Sequence, residues 1–105
     1  MKEITVQELK TKIDGGADFQ LIDVREDNER AFTNIGGDHL SMGTIGNNLD
    51  KISKDKDVVI YCRSGSRSGQ VVNFLEMNHG FKNLYNLKGG ILAWAGEIDD
   101  SIKKY

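Results

Sequence analysis

The sequence predicts an α/β domain with a mainly parallel sheet covered by helices on both faces. Three observations predict it. Val58 to Tyr61 is a short β-branched apolar run without polar alternation, as in a strand buried on both sides. Along the chain, strand-like runs alternate with segments whose apolar residues recur at helical spacing, the pattern of parallel strands joined by crossover helices. At Cys62, strand gives way to helix through a loop of glycine and serines, so the only cysteine lies beyond a strand's carboxyl end, where such sheets bind ligands.

The elements follow in order. Thr5 and Glu8 have capping-box spacing, with Ile4 and Leu9 placed as a hydrophobic staple, so a helix starts there. Val6, Leu9 and Ile13 share one face of it, and Gly15-Gly16 ends it. Phe19 to Val24 reads as a strand. Asp23, near its end, is a carboxylate on an apolar run and needs partners. Asp23 and Arg25 read as a charge-assisted tie between loops around the site rather than as an acid–base pair. Glu26 to Phe32 reads as a short helix whose many charges serve solvation.

Asn34 to Gly43, with three glycines, reads as a turn followed by a short strand over His39 to Met42. His39 is assigned a structural or surface role and Met42 core filling. Ile45, Leu49 and Ile52 predict a helix within Thr44 to Lys54, weakened by Gly46, Asn47 and Asn48. Past Cys62 a helix carrying Val71, Phe74 and Leu75 on its apolar side runs to about Asn78, and Asn78-His79-Gly80 ends it. Leu84 to Leu87 forms the last strand, Gly89-Gly90 a tight turn, and Ile91, Leu92 and Trp94 begin a closing helix that packs on the sheet.

Length and charge narrow the function classes. The 105 residues form a single domain, 1–105, and 38% hydrophobic with 29% charged residues is ordinary for a soluble core. A formal net charge of −2 leaves no basic footprint for nucleic acid. One cysteine cannot close an intrachain disulfide, and two distant histidines give no metal-ligand spacing, so neither metal nor cofactor is expected. No apolar run reaches membrane length and the N-terminus does not read as a secretory signal, so the expected location is the cytoplasm and no membrane partner is expected.

The chemistry concentrates on Cys62, Arg63, Ser64, Gly65, Ser66, Arg67 and Ser68. A helix N-terminus carries about half a positive charge, and two arginines add to it, so the thiol is expected to ionise readily. Successive loop N–H groups can point inward and make an anion cradle. A purely structural cysteine has no need of these neighbours. Two reactions use such a cradle, and spacing separates them. Cysteine-dependent phosphatases space cysteine and arginine as Cys-x5-Arg, whereas Arg67 completes Cys-x4-Arg and Ser68 stands where the phosphatase arginine would be. The shorter loop resembles that of sulfurtransferases, in which the ring of amides surrounds a single extra sulfur atom.

With the loop, Leu21-Ile22-Asp23-Val24-Arg25-Glu26 and the segment Gly80 to Trp94, containing Leu87-Lys88-Gly89-Gly90-Ile91, make the chain similar to single-domain rhodaneses, the rhodanese-like sulfurtransferases. The resemblance spans nearly the whole chain. It implies a rhodanese-like fold with a central, mainly parallel sheet of about five strands and helices on both faces. It also implies transfer of a sulfane sulfur from thiosulfate or another persulfide donor to a thiol or cyanide acceptor, through a persulfide on Cys62. Arg63, Ser64, Gly65, Ser66, Arg67 and Ser68 would bind the substrate, and Asp23 and Arg25 would support the site. The partners so implied are a small anionic sulfur donor, which a protein persulfide can replace, and a thiol or cyanide. The alternative function is a protein-docking sulfur relay or redox-sensing module with little thiosulfate turnover. The sequence departs from the family at Asn34 to Leu40, where many members carry Gly-His-Ile-Pro-Gly-Ala. The chain has no proline, so a differently shaped loop is expected there.

Overall fold

The computed structural model describes residues 1–105. Five strands, β1 (Glu3–Ile4), β2 (Gln20–Asp23), β3 (Asp38–His39), β4 (Val58–Tyr61) and β5 (Leu84–Leu87), form one sheet in the order β1-β5-β4-β2-β3. Every pairing is parallel. The central strand β4 is buried along its whole length. Its pleat still divides it: Val58 and Ile60 enter one core and Val59 and Tyr61 the other.

On the first side, α3 (Ser66–His79) contributes Val71, Val72 and Leu75 to a core shared with Ile22, Val24, Leu84 and Phe81. On the second, α1 (Val6–Asp14) and α4 (Gly90–Glu97) bring Val6, Leu9, Ile91 and Trp94 together with Ile4 and Leu87. The capping box of α1 forms as expected: the Glu8 amide donates to Thr5 Oγ1 at 3.1 Å and the Thr5 amide to Glu8 Oε1 at 2.9 Å. The short charged helix α2 (Asp27–Phe32) buries no residue. No helix is long and apolar enough to cross a membrane.

Two expectations are corrected. The segment read as a weak helix, Thr44 to Lys54, is two short 3₁₀ turns, Met42–Asn47 and Leu49–Lys51. Gly43, Gly46 and the asparagine pair give the α form little propensity, while burial of Ile45 and Ile52 holds the segment against the core by tertiary contact. The strand expected at His39 to Met42 lies at Asp38–His39, although the amides of Leu40 and Met42 still donate to Asp23 and Val24 carbonyls, both at 2.9 Å. Gly37 decides where it begins. Its φ is +84°, and a Cβ there would lie 2.5 Å from the Leu21 carbonyl oxygen. The proline-free segment leading into β3 is secured by Arg30, whose guanidinium donates to the Gly36 and Gly37 carbonyls at 2.9 and 2.8 Å.

Candidate active site

Cys62 is the first residue beyond β4, and α3 opens four residues later at Ser66. Between them Gly65, at φ +102°, turns its N–H onto the Cys62 sulfur, 3.1 Å away. The Ser68 amide approaches Sγ at 3.4 Å and the Ser68 hydroxyl at 3.3 Å. Ser68 is the only one of the three loop serines whose hydroxyl reaches the sulfur. Its oxygen also lies 2.5 Å from Oδ1 of Asn86, so one hydroxyl hydrogen is shared between sulfur and amide. Asn86 Nδ2 donates to the Gly65 carbonyl at 3.0 Å, which fixes the amide's orientation and ties the loop to β5.

The loop is held from behind by α4. Ile91 N–H donates to the Cys62 carbonyl at 3.0 Å and Leu92 N–H to the Arg63 carbonyl at 3.1 Å. This close approach requires Gly90, because a Cβ there would lie 2.5 Å from the Arg63 carbonyl oxygen and 2.6 Å from that of Cys62. Cys62 sits at the floor of the resulting cup, 1% exposed. Burial pushes its thiol up, but the Ser68 hydroxyl and the amides of Ser68, Gly65 and Ser64 outweigh burial, and the thiol lies below its ordinary value. The backbone and one hydroxyl therefore lead the stabilisation of a thiolate.

The two arginines expected to do that work are committed elsewhere. Arg67 makes a bidentate pair with Glu29, Nη1 to Oε1 at 2.7 Å and Nη2 to Oε2 at 2.8 Å. Its charge is still felt at Cys62, and Glu29 is held down to about 2, chiefly by the Arg67 fork. Arg63 points away from the sulfur and donates to the Tyr105 carbonyl.

Beside the cup, Asp23, the last residue of β2, and Arg25, just beyond it, are fully buried. Arg25 Nε donates to Asp23 Oδ1 at 3.0 Å and Nη2 to Oδ2 at 2.9 Å, while Arg25's remaining N–H groups reach the Thr33 carbonyl at 2.7 Å and the Tyr105 hydroxyl at 2.9 Å. Arg30 adds a longer contact to Asp23 at 3.4 Å. The Tyr61 hydroxyl lies 2.8 Å from the Gly36 carbonyl and 3.2 Å from Asp23 Oδ2, and burial with the Asp23 charge pushes it up to about 12. Burial disfavours the Arg25 charge, yet the bonds to Asp23 and Tyr105 outweigh it and raise Arg25 above its ordinary value. His39 Nε2 lies 2.6 Å from the Arg25 carbonyl, so it steadies this cluster and does not reach the sulfur.

The sulfur is thus faced by loop amides between strand and helix on a five-stranded parallel sheet. The rhodanese-like domain profile matches residues 5–97. The chain belongs to the rhodanese-like domain family. A Bacillus subtilis (strain 168) protein named "Putative sulfurtransferase YtwF" is 44% identical over 92% of this chain and 93% of its own length. A protein of Allochromatium vinosum named "Sulfurtransferase" is 41% identical over 90% of this chain and 89% of its own. The crystal structure of a rhodanese-like domain protein from Staphylococcus aureus superposes with a TM-score of 0.83 at 34% identity, covering 100% of this chain and 99% of that one. Family and names together support a sulfurtransferase-type function.

Within this rhodanese-like domain the structure adds residues that sequence reasoning passed over. The charges of Glu26 to Phe32 are not mere solvation: Glu29 holds Arg67, and Arg30 holds the turn before β3. No local periodicity signals a pair spanning 38 positions. Tyr105, beyond any recognisable motif, joins Arg25, Glu29 and Arg63. Asn86 did leave a signal, as an amide in the middle of the apolar run Leu84 to Leu87, where only a buried partner justifies it.

Proposed function

We propose that the protein moves a sulfane sulfur from thiosulfate or another persulfide donor to a thiol or cyanide, through a persulfide on Cys62. The observation that carries this reading is the convergence of the Gly65 and Ser68 N–H groups and the Ser68 hydroxyl on Sγ inside a Cys-x4-Arg loop. The Cys62 thiolate forms a bond to the donor's outer sulfur. The donor's own bond to that sulfur breaks, and its electron pair leaves on sulfite or on the donor thiolate. The loop N–H groups from Arg63 to Ser68 then face the charge on the new terminal sulfur. An acceptor thiolate or cyanide attacks that sulfur and regenerates Cys62. Asp23 and Arg25 make no hydrogen bond to the thiol and serve as the support on which the loop's mouth is built. A free nucleophilic thiol persists in reducing surroundings, so the cytoplasm is the proposed location.

The test is intact mass spectrometry after incubation with thiosulfate and with a thiol hydropersulfide, with Cys62→Ser as control. A gain of one sulfur on the parent alone, reversed by cyanide or a thiol, is the expected result. A gain that survives in Cys62→Ser, or none from either donor, removes Cys62 from the mechanism.

A further inference from the structure

Glu29 is the charged group beside the loop that sulfur transfer, as described, leaves unused. It comes from α2 and turns both oxygens to Arg67. Oε1 also accepts the Glu26 amide at 3.1 Å, and Oε2 accepts the Tyr105 hydroxyl at 2.6 Å. With four donors around it the carboxylate is pinned, its side chain only 14% exposed. Arg67 is the loop residue whose fork a tetrahedral anion would need, and the end of that fork is filled. The other arginines are occupied too: Arg25 and Arg30 by Asp23, and Arg63 by the Tyr105 carbonyl.

We infer that Glu29 sets the charge of the preferred donor. It competes with anionic donors for the Arg67 fork and turns the site from dianionic thiosulfate toward thiol hydropersulfides carrying at most one charge. This rests on the sulfur-transfer reading and names its substrate class. With a hydropersulfide, the Cys62 thiolate bonds to the outer sulfur, the donor's S–S bond breaks, and its electron pair leaves on the donor thiolate. Any proton on the outer sulfur travels with it onto the new persulfide. Such a donor asks only for the amide ring. Thiosulfate brings a second negative charge to a mouth where a fixed carboxylate already holds the arginine.

The experiment measures initial rates of sulfur loading on Cys62 by intact mass, from thiosulfate and from 2-hydroxyethyl hydropersulfide, in the parent, Glu29→Gln and Tyr105→Phe. The parent is expected to have the higher kcat/KM with the hydropersulfide. Glu29→Gln should raise the thiosulfate-to-hydropersulfide ratio of kcat/KM about tenfold, through a lower KM for thiosulfate and with a steeper loss at high salt. Tyr105→Phe, which removes one of the four donors that pin the carboxylate against Arg67, should move the ratio the same way by about twofold. A merely structural role would lower both rates together and leave the ratio alone. An unchanged ratio in both variants, with Cys62 still loading, overturns the assignment to Glu29. Failure of the parent to load from either donor overturns sulfur transfer itself.

Discussion

The Cys62 cup and the Asp23 cluster lie side by side at the carboxyl end of the sheet, with Tyr61 opposite Asp23 in the β4–β2 register, and they handle charge in opposite ways. In the cluster, permanent charges meet permanent counter-charges, side chain to side chain, with no exposure. In the cup the sulfur meets backbone amides and a hydroxyl, and the nearest guanidinium is bonded to a carboxylate. The difference follows from how long each charge stays. A buried carboxylate needs a fixed partner, since either ion alone would be costly. In the proposed persulfide step the charge would move one atom outward and leave a fixed counter-ion behind, whereas N–H groups around the sulfur could serve both positions. The cluster is held by paired ions, and the sulfur is met by amides and one hydroxyl.

Breaking the cluster should give the largest effect. Asp23→Ala strands the buried Arg25 guanidinium and should cost about 3–5 kcal/mol in urea unfolding, with loss of loading following from loss of the fold. Next comes the grip behind the cup. Gly90→Ala forces a Cβ onto the Cys62 and Arg63 carbonyls at a φ of +59° and should cost about 2–3 kcal/mol by the same measurement. Refolded variant at low temperature should still load sulfur poorly, because the displaced carbonyls carry the loop with them.

Ser68→Ala sharpens the comparison from the other side, since it removes a donor to sulfur with little loss of packing. The parent thiol is lowered, so its thiolate forms at a lower pH than it would without these donors. In the variant the midpoint of the pH–alkylation curve should move up, because the Ser68 hydroxyl that favours the thiolate is gone, and loading at neutral pH should fall about threefold to tenfold. The smallest effects belong to Ser64→Ala and Ser66→Ala, whose amides remain. Loading rates within about twofold of the parent are expected, and a larger drop in either would mean that the ring depends on side chains after all.

The elements that sequence exposed are those whose causes are local or periodic. Thr5 and Glu8 are three positions apart, Val58 to Tyr61 is one continuous run, and Cys62 to Ser68 is a contiguous loop, so each could be placed without its neighbours. Asp23 and Arg25 were legible as a tie because they are two positions apart at a strand end. The Arg67–Glu29 pair and the Tyr105 contacts were not, because they join segments brought together only by the sheet order. Sequence places Arg63 and Arg67 as positive charge for the thiol and the donor, and the acceptors the folded chain gives them, Tyr105 and Glu29, lie too far along the chain to be seen there. The helix expected within Thr44 to Lys54 fails for a different reason: Ile45, Leu49 and Ile52 have helical spacing, but core contacts hold tighter turns that the glycines permit.

The clasp of Ile91 and Leu92 amides on the Cys62 and Arg63 carbonyls also fixes an order of events during synthesis. A chain made from its N-terminus presents the nucleophile well before Gly90 exists, and β1 likewise waits for β5, its one strand partner. Before Asn86, Ile91 and Leu92 are made, the cup has no back wall and nothing holds the Gly65 carbonyl from β5. The donors that face the sulfur therefore gain their support from residues made well after Cys62 itself.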